Sequence, residues 1–471
     1  MATATVKERN FTEGPIFSRI ILFSLPLIAT NLLQILYNTA DMVVVGLSSE
    51  PDAVGAIGAC SSLVHLLVNL FIGFSTGATV MVARHLGAKN EERVSATVHT
   101  AVLISIIFGI ACGVIGIAIS RPMLRLMGAE ARLLELANLY TTVYFAGIPF
   151  VSVTNYAISI LRAKGDTKTP FLVLTAGGIL NVTLNLFFVK ALDMSVEGVA
   201  LATVLSNLAS GIVLLWLLSR DDGPCRLRLR QLRFDRAAFG EILYVGLPAG
   251  LQSAMFSVSN IIIQSSILRV NNALCPPDSP YQPVIKGNTA ATNLENFAFA
   301  VSHALHQAAL TFTGQNAGAD RYDRVKRSFA ACTAATLLSS TAFTLLLFFA
   351  RDPLFALFQV QNGAVGTPEH LAYNAGYQRL VIHLLPFPLY AFMDTCNGVA
   401  RGLKKSISST LITLIGTCLL RVVWIATVFE ARQTLASIFI SYPISWIVTT
   451  AAQLALVLLV LRAHKRTQNV I

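Results

Sequence analysis

Three acidic residues sit inside long apolar stretches, and each needs a chemical reason to be there: Asp41, Glu295 and Asp394. An ionised carboxylate at the centre of a bilayer costs about 2.5–3.5 kcal/mol on insertion scales, so such groups are held by a partner, a cation or a proton. Asp41 follows Asn38, Tyr37 and Gln34 at i+3, i+4 and i+7, which places all four on one face of a helix. Neighbouring apolar runs offer further neutral ligands: Asn155 beside Thr154, Asn181 and Asn185 at i, i+4, and Thr203. One carboxylate with several amide and hydroxyl oxygens can replace the hydration shell of Na⁺, and the same carboxylate can instead take a proton.

The other two acids are less decided by their neighbours. Glu295 opens its run a few residues inside the outer end, ahead of Phe297, Phe299, His303 and His306. An interfacial, solvated carboxylate and a cavity-facing one are both open for it, and His303 and His306, at i, i+3, share a face near it with a possible part in pH sensing. Asp394 lies about two turns before Arg401. Cation or substrate handling competes there with plain satisfaction by Asn397 or by Arg379 and Arg421. His65, His99 and His383 have no HxxxH or HExxH spacing and read as packed polar residues, so no metal is expected. The seven cysteines form no CxxC pair and read as small core residues.

The elements that must position these groups follow from composition. Of 471 residues 54% are apolar and 13% charged, about half the usual charge of a soluble chain. Apolar runs bounded by charges, Gly or Pro predict twelve spans, near 18–46, 54–82, 94–119, 133–161, 168–190, 197–219, 239–266, 289–314, 326–350, 372–400, 406–429 and 435–461. The net charge of +11 is mostly a topology signal: 25 of the 35 Lys and Arg fall at the termini and in every second loop. The positive-inside bias then puts both termini in the cytoplasm of a multi-pass cell-membrane protein. Basic residues lying between apolar runs argue against a nucleic-acid partner. The polar start of the chain lacks the apolar core and cleavage site of a signal peptide, so none is expected.

The basic stretch 220–236 divides the chain, and the two halves repeat. Pro26 in LPLIATNLLQILYN aligns with Pro248 in LPAGLQSAMFSVSN, which sets Asn38 on Asn260. GAKNEERV answers GADRYDRV, GIPF answers LLPF, and RAKG answers VARG. Equivalent elements separated by an even number of spans run the same way, so the repeat is parallel, about an axis along the membrane normal. The expected division is 1–17 as N-terminus, 18–219 as a first six-helix lobe, 220–238 as a solvated linker touching anionic headgroups, 239–461 as a second lobe, and 462–471 as C-terminus. Proline in a helix interior removes a hydrogen bond and bends the helix, so Pro26 and Pro248 are candidate hinges.

With those motifs placed, the chain resembles the multidrug and toxic compound extrusion (MATE) family, in its DinF-like bacterial branch, over roughly residues 14–462. The carriers are SLPLIATNLLQILYNTADMVVVG, GFSTGATVMVARHLGAKNEERV, ILRAKGDTKTP, ILNVTLNLFFV, GVALATVLSN, NLENFAFAVSHALHQAALTFTGQNAGADRYDRVK and NGVARG, in order and spacing. The resemblance implies two six-helix lobes around a V-shaped cavity that exports substrate while Na⁺ or H⁺ moves inward. It implies an N-lobe cation site at Asp41, Tyr37, Asn155, Asn181 and Thr203, and bending at Pro26 when Asp41 is protonated or cation-bound. This sequence departs from the family at Asn185, where a second carboxylate is common, and at Phe256, where another branch carries a coupling acid.

The expected function is cation-coupled export of small amphipathic, often cationic molecules, by a chain that acts as a monomer, needs no cofactor beyond its coupling ion and is not an enzyme. There is no GxxxxGK[ST] loop, so an ion gradient must drive it. A lipid-linked saccharide flippase needs a basic cavity, for which only Arg379 and Arg421 lie in spans; an intramembrane enzyme needs a GxSxG, GxGD or HExxH constellation, and none is convincingly placed. The candidate cation ligands are therefore Asp41, Asn155, Asn181, Asn185 and Thr203. The candidate cavity residues are Gln34, Tyr37, Asn38, Phe256, Asn260, Glu295 and Asp394.

Overall fold

A computed structural model describes residues 11–46, 48, 50, 52–126, 131–275 and 282–468. Residues 1–10, 469–471, the middle of the expected outer loop (276–281) and the side chain of His65 lie outside the described residues. Among the described residues every regular element is a helix. In chain order these are α1 (Ile16–Val45), α2 (Ala53–Gly87), α3 (Glu91–Leu126), α4 (Ala131–Ala146), α5 (Ile148–Lys164), α6 (Lys168–Leu186), α7 (Val196–Ser219), α8 (Arg236–Leu274), α9 (Pro283–Gly318), α10 (Tyr322–Phe349) and α11 (Arg351–Leu357). Then come α12 (Pro368–Arg379), α13 (Phe387–Gly402), α14 (Ser406–Thr413), α15 (Leu420–Trp424), α16 (Glu430–Arg432) and α17 (Leu435–Gln468). Short π-helical turns continue α6 through Phe187–Ala191, lead from α12 toward α13, and join α14 to α15 and α15 to α16.

Nine described helices are long and apolar enough to cross a bilayer, and α4 with α5 makes a tenth as a broken span. The chain is an integral membrane protein. The expected continuous span 133–161 is bent by 48° between α4 and α5. The break falls at Gly147, with Pro149 just inside α5, where a ring without an N–H is tolerated only in a first helical turn. The repeat has the same feature, since Pro386 immediately precedes α13. Pro26 and Pro248 lie inside α1 and α8. The two expected spans with the most interior polar groups, in α9 and across α12–α13, are the ones that length and hydropathy do not pick out.

The chain packs as two compact units. Among the described residues one comprises 11–14, 22–254 and 314–321, the other 15–21, 255–313 and 322–468. In the first unit α2 and α8 cross at contact distance. A Cβ on Gly73 would meet the backbone of Ala249 and Gly250, and one on Gly77 the backbone of Ile242 and Gly246. Gly-x-x-x-Gly on both helices thus lets the two backbones touch, the usual route to tight association where lipid removes the hydrophobic drive. Phe11 is buried beside this unit's core, its N–H bonded to Gln315 Oε1 at 3.0 Å. The linker is tied down: Leu227 N donates to Leu218 O, Arg228 N to His99 Nε2 at 3.1 Å and Asp235 N to Thr100 Oγ1. Cys225 and Leu227 are buried under it while Arg226, Arg228, Arg230 and Arg233 stay exposed. The second unit has its own core, with Phe355, Phe387, Phe429, Phe439 and Trp446 fully enclosed.

Candidate functional site

Within the first unit, α1, α6 and α7 line a half-open cavity of about 140 Å³. From α1 it is lined by Gln34, Tyr37, Asn38 and Asp41, the four residues of the helical stripe. α6 adds Asn181 and Thr175, and α7 adds Thr203, Ser206, Asn207 and Ser210. Asp41 is its one charged lining residue.

A hydrogen-bonded chain runs from Asp41 across the helices. Asn185 Nδ2 donates to Asp41 Oδ1 at 2.5 Å and also faces Asn181 Oδ1 at 3.2 Å. Asn181 Nδ2 donates to Thr203 Oγ1 at 3.3 Å, and Thr203 donates back to Val199 O on its own helix. Asn207 Nδ2 is held on Thr203 O. The i, i+4 spacing of Asn181 and Asn185 explains why one helix can present both amides to the same neighbour. Two residues after Asn185 the helix widens into its π turn, a distortion that recurs at functional sites. Asn185 is fully buried, and its Oδ1 has no hydrogen-bond partner among the described residues. A buried acceptor left open costs about 1–3 kcal/mol, and here it lies on the amide that already touches the carboxylate.

Tyr37 is set by a glycine. A Cβ on Gly178 would fall on the Tyr37 ring, so only glycine admits the ring between α1 and α6. From there Tyr37 Oη donates to Thr175 O at 3.2 Å.

The remaining candidates lie elsewhere. Asn155 donates to Val151 O on its own helix at 2.9 Å and does not line the cavity. Phe256 is half-buried and Asn260 exposed, both in the second unit. Glu295 is fully buried, not solvated. Arg379 grips both its oxygens, through Nε at 3.1 and 3.0 Å and Nη2 at 2.7 Å, while Nη1 donates to Asn288 Oδ1. His383 Nδ1 lies 2.9 Å from Glu295 Oε1, so the histidine beside this acid is His383 and neither His303 nor His306. Asp394 meets His306 rather than Asn397, Arg379 or Arg421: His306 Nδ1 is hydrogen-bonded to the Asp394 backbone O at 2.8 Å and lies 2.9 Å from Oδ1, and His303 stacks on His306 at 5.7 Å. α9 and α13 bring that acid and that histidine together from 88 residues apart, a pairing no local pattern announces.

Sequence reasoning missed Ser206, Asn207 and Ser210. Their signal was present: from Thr203 they stand at i+3, i+4 and i+7, the spacing that had marked the stripe on α1.

Fold and site together define a polytopic helical membrane protein with a half-open polar cavity between three of its helices. More particularly, the chain is a member of the MatE family, whose model matches residues 26–187 and 285–427. It is 29% identical over 313 residues to Probable multidrug resistance protein YoeA of Bacillus subtilis, covering 65% of each chain, just under two thirds. It is 24% identical to Probable multidrug resistance protein YpnP of the same organism, over 88% of this chain and 89% of that one. With the Multidrug export protein MepA of Staphylococcus aureus it shares 26% identity over 56% of this chain and 58% of that one. Among solved structures it superposes on the outward-facing conformation of a multidrug resistance MATE family transporter of the MOP superfamily with a TM-score of 0.86 at 22% identity, over 98% of this chain and 100% of that one. MATE in its straight conformation gives 0.85 at the same identity and coverage. The fold is therefore the all-α MATE fold of twelve membrane-spanning helices in two lobes, some of the spans broken into shorter helices.

Proposed function

We propose that the chain is a secondary active exporter of small amphipathic, often cationic molecules, with Asp41 as the carboxylate that couples export to inward Na⁺ or H⁺. The observation that carries this is the charge of the first-unit cavity: one carboxylate, no basic lining residue, and a ring of neutral oxygen-bearing side chains. Such a site is one positive charge short of neutrality, and a Na⁺ ion or a proton makes up the difference. Asn185 Oδ1, buried and open, supports a bound cation, because an ion beside Asp41 gives that acceptor something to coordinate. The names of the relatives, multidrug resistance and multidrug export proteins, support the substrate class.

Occupied and empty Asp41 would favour different packings of α1 against α6 and α7, and a cation that binds one packing better shifts the balance by that difference in affinity. Pro26, one helix turn before the first cavity residue Thr30, is where α1 lacks a backbone donor and can bend. Alternating access coupled this way needs no further cofactor and makes the chain a transporter rather than an enzyme. The reading extends to a cell-membrane protein with both termini cytoplasmic, acting as a monomer.

The test is uptake of a fluorescent organic cation into inverted vesicles under separately imposed Na⁺ and H⁺ gradients, for wild type and Asp41→Asn. Uptake should follow one of the gradients in wild type and neither in the variant. Uptake indifferent to both gradients in wild type would sink the coupling, and gradient-driven uptake in the variant would move it away from Asp41.

A further inference from the structure

The second unit contains a buried guanidinium, that of Arg421, with no carboxylate at ion-pair distance among the described residues. The unit's two buried acids lie beside other groups: Glu295 pairs with Arg379, and Asp394 lies against His306. Arg421, 4% exposed in the middle of the α14–α16 segment, has no carboxylate beside it among the described residues. Its Nε donates to Ser445 Oγ at 2.9 Å and its guanidinium lies 4.1 Å over the Tyr442 ring. A guanidinium keeps its charge at any physiological pH and carries five donors, so one neutral hydroxyl and one aromatic face leave most of its capacity unused.

Two more donors gather around the same ring without acceptors. Trp446 is 1% exposed, and its indole N–H, which can only donate, has no partner among the described residues. His383, also 1% exposed, turns Nδ1 toward Glu295 and leaves Nε2 without a partner, with its ring 4.2 Å from Tyr442 and 4.9 Å from Trp446. Buried polar groups are ordinarily satisfied, and a cluster in which every unsatisfied group is or can be a donor asks for an acceptor from outside. Half-buried Tyr390, its ring 5.5 Å from Trp446 and 4.8 Å from Phe299, offers an aromatic approach to the cluster.

We propose that the second unit holds an anion-binding site, formed by Arg421, Trp446 and His383, that takes the carboxylate of an aromatic amphiphile. The guanidinium and the indole N–H meet the two carboxylate oxygens, and the aromatic walls take the ring of the ligand. This goes beyond export of cations through the first unit and is independent of Asp41, since binding is read on purified protein without any gradient.

The test uses protein in detergent with Trp216→Phe and Trp424→Phe, so that Trp446 is the remaining tryptophan. Titration with 2-naphthoate should quench Trp446 saturably, and Arg421→Gln should weaken half-saturation by about tenfold or more. The neutral isostere 2-naphthalenemethanol should bind wild type no better than the variant. Because Arg421→Gln removes an uncompensated buried charge, the unliganded variant should melt no lower than wild type, and 2-naphthoate should raise the melting temperature of wild type alone. Trp446→Phe, read by melting temperature, should lose part of that rise. Equal titrations for wild type and Arg421→Gln, or equal binding of the neutral isostere, would overturn the proposal. If excess chloride abolishes the 2-naphthoate response, the site is a halide site and the assignment to an organic carboxylate fails.

Discussion

Asn185 Nδ2 and Asp41 Oδ1 are 2.5 Å apart, and the amide that makes this contact leaves its own oxygen open. Asp41 is the one carboxylate lining the cavity, and Asn185, buried behind it and not itself a lining residue, stands where a second acid would pair with it. Neutrality with one acid takes a single monovalent cation or proton. Replacing Asn185 by Asp adds a negative charge at contact distance, and the pair then needs two positive charges, or titrates as a coupled unit. Asn185→Asp should raise the slope of log efflux rate against pH, or against log Na⁺ concentration, from about one toward two. An unchanged slope would mean that the coupling ion does not sit between these two residues.

The chemistry was legible wherever one helix carried it. Gln34, Tyr37, Asn38 and Asp41 reach the cavity together because helical periodicity alone sets them on one face, and Thr203, Ser206, Asn207 and Ser210 obey the same rule on α7. Chain-crossing partnerships were not legible. Asp394 finds His306 and Glu295 finds Arg379 through helix packing, over 88 and 84 residues, and the sequence shows only that each acid needs something. Asn155 stands apart from the cavity group: its Nδ2 donates to Val151 O on its own helix, and it does not line the cavity. Ten of the twelve expected spans stand out by length and hydropathy among the described residues, counting α4 with α5 as one, while the 48° bend at Gly147 falls inside a run that hydropathy reads as a single span.

Gly178 and Tyr37 make a second prediction. Gly178→Ala places a methyl on the Tyr37 ring, which must move and give up its bond to Thr175 O. Overpacking of this kind costs about 1–3 kcal/mol. In a Tyr37→Ala background the ring is gone, so the added methyl should cost almost nothing. A double-mutant cycle on thermal unfolding in detergent measures the difference, and additive effects would show that the two residues are not in contact.

The α2–α8 crossing yields a third. Gly77→Leu would drive a branched side chain into the backbone of Ile242 and Gly246, with no flexible neighbour to yield. Close approach of backbones is the main source of helix association in lipid, so the variant should unfold at markedly lower temperature. Gly240→Leu is the control, because a Cβ there meets nothing within 4 Å. Equal melting of the two variants would remove the crossing as a stabilising contact.

Glu295 and Arg379 allow the sharpest comparison, because an acid inside a membrane protein can serve either transport or structure. Removing one partner of a buried ion pair strands the other, at about 3–5 kcal/mol, whereas removing both is often neutral. Here Glu295 receives three charge-assisted bonds from Arg379 at 2.7–3.1 Å, and both side chains are nearly inaccessible. Glu295→Gln should therefore melt far below wild type, while Glu295→Gln combined with Arg379→Met should recover most of the loss. Organic-cation uptake separates the roles. A structural pair predicts that the stable double variant still follows the ion gradient, in contrast to Asp41→Asn. Loss of gradient-driven uptake in a double variant that melts like wild type would make Glu295 a second coupling acid.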